Sequence, residues 1–279
     1  MADDDGLLSF ERDANTMIVG PTSSGKTTLL KQILSAGQWT GGVPERLVIV
    51  GPIESLKSWI EPEWTKPSWA REVIRVEGEP AFASFLDQSD QIPENTVMVF
   101  DDVGGWLEQK DLRVKFEKLF RVVTHHRHCW TFLLLHELFS SGSVAMRRNA
   151  QNFILFDVLQ DQNATNAFLG RLIGQSRIPL FMAMFQDALQ LIPGHGWIRL
   201  DLRRGAEYNR VVSTKGFSWA TGAELYLVGT SAESAEGAVP SLDGRAATAS
   251  SGTHPAGGVR ASDLHLDAES GTIPGQHDQ

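Results

Sequence analysis

Thr16-Met17-Ile18-Val19-Gly20-Pro21-Thr22-Ser23-Ser24-Gly25-Lys26-Thr27-Thr28-Leu29-Leu30 carries the pattern G-x-x-x-x-G-K-T between an apolar run and a helical repeat. That is the pattern of a phosphate-binding loop, and it sits in the strand, loop, helix context the motif needs. In such a loop successive backbone N–H groups turn toward an anion, and the start of the following helix adds its partial positive charge. Gly20 to Thr28 are the expected nucleotide-binding residues; Gly20 and Gly25 permit the backbone angles, and a helical pattern leaves the loop through Leu29, Leu30, Ile33 and Leu34. Lys26 is placed to reach the β- and γ-phosphates of a nucleotide, and the Thr27 hydroxyl to take one Mg²⁺ position. ATP with Mg²⁺ is the expected ligand.

Working outward, Leu47-Val48-Ile49-Val50 reads as a second buried strand, closing a strand, helix, strand unit. Val97-Met98-Val99-Phe100-Asp101-Asp102 is more informative. Four apolar residues ending in two carboxylates describe a buried parallel strand that delivers acids to its carboxyl end, the edge where open α/β sheets bind ligands. Beside a phosphate-binding loop this is the Walker B element: Asp101 is expected to hold Mg²⁺, and Asp102 to orient or deprotonate the attacking water.

Asp111 to Thr124 has the stripe Leu112, Phe116, Leu119, Phe120 and Val123 for packing on the sheet, with Lys118 and Arg121 among the cations on its other faces. His125-His126-Arg127-His128 follows. No second ligand cluster at a zinc-like spacing accompanies it, so a basic edge that meets phosphate, on a neighbour or on DNA, is the better reading. The strand Trp130 to Leu135 then ends in His136-Glu137, where P-loop ATPases place a polar sensor near the γ-phosphate. Phe153 to Phe156, Trp197 to Leu202 and Tyr208 to Ser213 complete the strands, the last two as an antiparallel hairpin at the sheet edge. Helices are expected from Pro80 to Leu86, from Asp161 through Ile173 and from Leu180 to Leu189. Trp59, Trp64 and Trp69 recur at five-residue intervals with prolines between, which excludes a continuous helix and suits a loop whose rings pack on the core.

The fold class expected is α/β, a RecA-like P-loop NTPase core with a mostly parallel central sheet flanked by helices. Residues 1–14 form an N-terminal segment, 15–228 the ATPase domain, and 229–279 a disordered tail of Ser, Gly, Ala and acids without aromatics. The net charge of -9, much of it in that tail, excludes a generally basic surface, so nucleic-acid contact must come from a local patch or an assembly. A single cysteine, Cys129, lies in an apolar run and excludes a disulfide framework. The acidic start and the lack of any long apolar run point to a soluble, intracellular protein with no membrane partner. There is no arginine-rich lid and no Asn-Lys-x-Asp, which sets kinase and GTPase readings aside.

Taken in order, Gly20 to Thr27, Val99 to Asp102, His126-Arg127-His128, Leu133 to Phe139, Arg148-Asn149 before Phe153 to Phe156, Phe181 to Ala188 and Gly196 to Leu202 resemble the viral genome-packaging ATPases of the poxvirus and polinton type, within the FtsK–HerA superfamily. The resemblance spans roughly Asn15 to Ser213. It implies a motor that uses ATP hydrolysis to drive double-stranded DNA into a capsid. The implied partners are double-stranded DNA, further copies of the chain in a hexameric or pentameric ring, and the capsid or its portal vertex. The implied place is the host nucleus, a viral factory or the virion. Arg147 or Arg148 is the corresponding arginine finger, given in trans, while Arg127, Lys118 and Arg121 are the corresponding contacts to DNA or a neighbour. His136-Glu137 stands where the family usually has glutamine and asparagine. A histidine sensor keeps the hydrogen-bonding capacity and adds a titratable group. An assembly or DNA-binding protein with little turnover, and a cellular P-loop ATPase, stay open as alternatives.

Overall fold

Every run read above as a buried strand is a strand in the computed structural model, which describes residues 9–60, 62, 64–139, 143–156, 162–191, 196–202, 209–214 and 223–228. In chain order the strands are β1 (Phe10–Glu11), β2 (Asn15–Val19), β3 (Trp39–Thr40), β4 (Arg46–Gly51), β5 (Glu72–Glu77), β6 (Thr96–Asp101), β7 (Trp130–Leu135), β8 (Asn152–Leu155), β9 (Ile198–Asp201), β10 (Asn209–Thr214) and β11 (Ala223–Val228). The helices are α1 (Lys26–Ala36), α2 (Ile53–Leu56), α3 (Glu79–Asp87), α4 (Lys110–Lys118), α5 (Thr124–His126), α6 (Val144–Asn149), α7 (Gln162–Ile173) and α8 (Ile178–Leu191). The expected tail lies outside the described residues, as does the Asp161 cap.

Among the described residues nine strands form one sheet in the order β11-β10-β9-β8-β2-β7-β6-β4-β5. From β8 to β5 every pairing is parallel, and β9, β10 and β11 add antiparallel strands at one side. The expected hairpin is β9 with β10; β11 extends it by one strand. Strand β7 lies between the loop-bearing β2 and the acid-bearing β6.

Strand residues alternate between two apolar layers, because successive side chains on a strand point to opposite faces. Met17, Met98, Phe100, Leu133, Leu135 and Phe153 share one layer with residues of α3, α4, α7 and α8. Ile18, Val97, Val99, Phe132, Leu134 and Ile154 share the other with Leu29, Leu30, Ile33 and Leu34 of α1 and with Trp59 and Trp64. Helices on both faces bury these strands completely, which is why they are near-continuous apolar runs in sequence. This is the doubly covered, mostly parallel sheet of a RecA-like P-loop core.

The helix expected at Asp111 to Thr124 runs from Lys110 to His126, with a π-helical stretch at Leu119–Val123 between α4 and α5. Its widened turn is used: buried Asn15, at the start of β2, donates from Nδ2 to Phe120 O at 2.6 Å and to Asn149 O at 3.1 Å. One side chain thereby fastens the strand that ends in the phosphate loop to the crossover helix and to the end of α6. Among the described residues no helix is long and apolar enough to cross a membrane.

Candidate functional site

Strands β2, β7, β6 and β4 run parallel, so their carboxyl ends open on one edge, and Gly20 to Thr28, His136, Asp101-Asp102 and Ser55 follow those ends. A cleft of about 690 Å³ there is lined by Thr22, Ser23, Gly25, Lys26, Thr27, Thr28, Ser55, Asp101, Asp102 and His136. The loop's shape follows from its residues. Ser23 and Gly25 both lie in the left-handed region, at φ 63° and 99°, and a serine held there stores strain that is common at ligand loops. A Cβ on Gly20 would stand 2.5 Å from Cβ of Phe156, so only glycine lets the loop leave β2 beneath the end of β8.

Lys26 is 8% exposed. Its ammonium donates to Gly20 O at 2.7 Å and Pro21 O at 2.8 Å, which curls the loop around it. Burial pushes its pKa below the ordinary lysine value, against the opposing pull of Asp101 and Asp102. The result is a desolvated cation in a ring of backbone, a setting matched to a phosphate.

Asp101 is 6% exposed, at the end of β6. Its Oδ2 accepts from Trp59 Nε1 at 2.9 Å and from Thr27 Oγ1 at 3.3 Å. Burial raises its pKa above the usual carboxylate value, while the bonds from Trp59 and Thr27 lower it. Asp102 adopts φ 59° and turns out of the strand into the cleft. There it accepts from Ser55 Oγ at 3.3 Å on Oδ2 and pairs through Oδ1 with His136 Nε2 at 3.1 Å.

His136 bridges the loop and the acids. Lys26 Nζ and Thr22 Oγ1 approach its Nδ1 at 3.5 and 3.3 Å. An ammonium can only donate, so Nδ1 is the accepting nitrogen and the neutral ring carries its proton on Nε2, facing Asp102. Thr27, Asp101 and Asp102 supply a hydroxyl and two carboxylates beside the phosphate loop, a hard-oxygen set that fits Mg²⁺. Such a site needs only one or two protein carboxylates, with substrate phosphates and water completing the shell.

Ser55 and Trp59 are the site residues that motif reading misses. Both follow β4, the strand paired with β6, and residues at the carboxyl end of that neighbour were the signal available. Gly51 closes β4, where a Cβ would come 2.5 Å from Asp101 O. Trp64 and Trp69 pack on the core, as expected of the tryptophan loop: Trp64 stacks edge-on against Trp59 at 5.2 Å, and Trp69 donates to Leu34 O.

The two arginines of α6 have different surroundings. Arg147 donates to Leu138 O and Ser143 Oγ and lies 5.0 Å over the Phe139 ring. Burial, with Arg171 and Arg148 nearby, works against its charge. Arg148 is exposed and makes no hydrogen bond or ion pair among the described residues. Of the basic residues on and beyond α4, Lys118 pairs with Asp90 at 2.7 Å and Arg127 donates to Asp90 O, while Arg121 is exposed. His128 pairs with Asp13 at 3.1 Å.

No family model matches the chain, and no curated protein matches it in sequence. Among solved structures it is similar to the DNA-packaging ATPase of Sulfolobus turreted icosahedral virus, with 11% identity and a TM-score of 0.47 over 77% of this chain and 97% of that one. It is also similar to the genome-packaging NTPase of Sulfolobus turreted icosahedral virus 2 in complex with AMP, with 14% identity and a TM-score of 0.43 over 68% and 93% of the two chains. A KaiC-like protein of Pyrococcus horikoshii OT3 matches with 15% identity and a TM-score of 0.39 over 77% and 90%. With identities this low and TM-scores under 0.5, the architecture rests on the chain's own strand order and loop geometry.

Proposed function

We propose that the chain is a Mg²⁺-dependent ATPase of the FtsK–HerA superfamily, of the poxvirus and polinton packaging type. It works as a ring that moves double-stranded DNA into a capsid. The observation that carries the hydrolytic part is the convergence of Lys26, Thr27, Asp101, Asp102 and His136, from three adjacent parallel strands, in one cleft. The packaging part is supported by the succession of motifs in sequence and by Arg148, a cation on the outside of α6 with no partner among the described residues.

In this reading Lys26 and the loop N–H groups hold the β- and γ-phosphates. Thr27 and Asp101 hold Mg²⁺, which neutralises charge on the phosphate oxygens. Asp102 takes a proton from the water that attacks the γ-phosphorus, and the bond to the β-phosphate oxygen breaks to give ADP and phosphate. His136, bonded to Lys26 on one nitrogen and to Asp102 on the other, links the phosphate loop to this base. Arg148 of a neighbouring subunit completes charge stabilisation in the transition state, so turnover depends on assembly.

A second reading is favoured by the two hydrogen bonds that already occupy Asp102, from Ser55 and His136. A base held in this way suits an ATP-dependent assembly or DNA-binding protein with little turnover. ATP hydrolysis by the purified chain, measured across a concentration series with and without linear double-stranded DNA, separates the two. A motor gives a rate per subunit that rises with concentration and with DNA. Tight ATP binding without hydrolysis selects the assembly protein, and a rate indifferent to both variables removes the trans-acting finger.

A further inference from the structure

Trp59 is 0% exposed and does not line the cleft, yet the one polar atom of its side chain bonds to an acid that does. Of the other tryptophans, Trp130 donates to Phe10 O and Trp69 to Leu34 O, ordinary backbone acceptors. Trp59 alone among the hydrogen bonds described for tryptophan donates to a carboxylate, Asp101 Oδ2, at 2.9 Å. The ring has little freedom to turn away. Trp64 packs edge-on against it at 5.2 Å and 79°, Lys31 of α1 stands 5.2 Å over its face, and Arg75 of β5 donates to its carbonyl at 2.9 Å. Trp64 and Lys31 thus hold the ring and Arg75 the main chain of a residue whose indole N–H is aimed at one oxygen.

That aim has a consequence for the acid. Asp101 Oδ2 is claimed by Trp59 and by Thr27, while Oδ1 makes no hydrogen bond to any described residue. A carboxylate tethered by one oxygen keeps its rotamer and leaves the other available. We propose that Trp59 is a positioning residue for the metal: its indole N–H fixes the Asp101 carboxylate so that Oδ1 is offered to Mg²⁺. The inference rests on the reading of Asp101 as a Mg²⁺ ligand. A tryptophan serving only as packing requires the ring but not the N–H, and the two roles separate experimentally.

Trp59→Phe keeps an aromatic ring for Trp64 and Lys31 and removes the donor. In the full chain the Mg²⁺ concentration for half-maximal ATP hydrolysis should rise about tenfold, as expected for losing one hydrogen bond to a charged group. The nucleotide dissociation constant in EDTA should stay within about twofold. A second readout needs no turnover. With tryptophan indoles labelled with ¹⁵N, the resonance lost in Trp59→Phe should move in the wild-type chain when Mg²⁺ is added with a non-hydrolysable ATP analogue, and remain still with the analogue in EDTA. Should Trp59→Phe not fold, the resonance is identified as the indole signal displaced in Asp101→Asn. An unchanged Mg²⁺ requirement in Trp59→Phe, or a Trp59 indole that ignores Mg²⁺, overturns the inference while leaving a Mg²⁺-dependent wild type intact. A wild-type chain whose nucleotide binding and hydrolysis both ignore Mg²⁺ overturns the metal reading of Asp101, and the inference with it.

Discussion

Asp101 and Asp102 are adjacent in sequence and opposite in circumstance. Asp101 ends its strand buried and bonded to Trp59 and Thr27, whereas the left-handed backbone at Asp102 swings the next carboxylate out of the sheet toward Ser55 and His136. Asp102→Asn keeps an oxygen to accept from Ser55 and loses the capacity to take a proton. Nucleotide affinity should therefore change by less than about threefold, while the hydrolysis rate falls by roughly 10²- to 10⁴-fold, as measured by equilibrium binding and single-turnover assays. Cys129 provides a pH test. Burial pushes its thiol up from 9.0 to about 12. A group whose folded pKa is raised contributes stability that is complete below 9.0 and lost as pH climbs toward about 12. The wild-type chain should lose stability more steeply across that alkaline window than Cys129→Ala, and the native thiol should resist alkylation at pH 8 until denaturant is added.

At the scale of elements, α6 holds two arginines with different work. Arg147 holds the loop that follows the His136 strand, through Leu138 O, Ser143 Oγ and the Phe139 ring, and Arg148 touches none of it. Arg147→Ala should lower the melting temperature by a few degrees, the cost of about 1–2 kcal/mol of lost bonds. With Arg148 as the proposed trans-acting finger, Arg148→Ala should leave it unchanged and reduce ATP hydrolysis by about 10³-fold, a pairing of scanning calorimetry with steady-state rates. Much of this level is legible in sequence, since strands buried on both faces must be apolar throughout, as Leu47 to Val50 and Trp130 to Leu135 are. Ser55 and Trp59 are not legible, because no spacing announces a hydroxyl or an indole that meets an acid more than forty residues away. The widened turn at Leu119–Val123 escapes for a similar reason: its apolar stripe is the same as that of an ordinary helix. Strand β11 is missed because Ala223–Val228 mixes small, acidic and apolar residues in a way that fixes neither burial nor pairing by itself.

For the molecule as a whole, the strand order sets a gradient of protection. Strands β2, β7 and β6 lie in the interior of the sheet with every residue buried, while β5 is an outer edge whose residues are partly or fully exposed. Native-state hydrogen exchange should find the amides of β2, β7 and β6 opening only with global unfolding, and those of β5 exchanging faster by local opening. Uniform exchange across the sheet would contradict this order. The same order places the end of β4 beside the end of β6, where Gly51 abuts the carbonyl of Asp101. In a saturation scan scored by abundance and again by hydrolysis, substitutions at Lys26 should be depleted in the second map alone. Substitutions at Gly51 should be depleted in both, so subtracting the maps hides a glycine that the acid's position depends on as strictly as the proposed phosphate binding depends on the lysine.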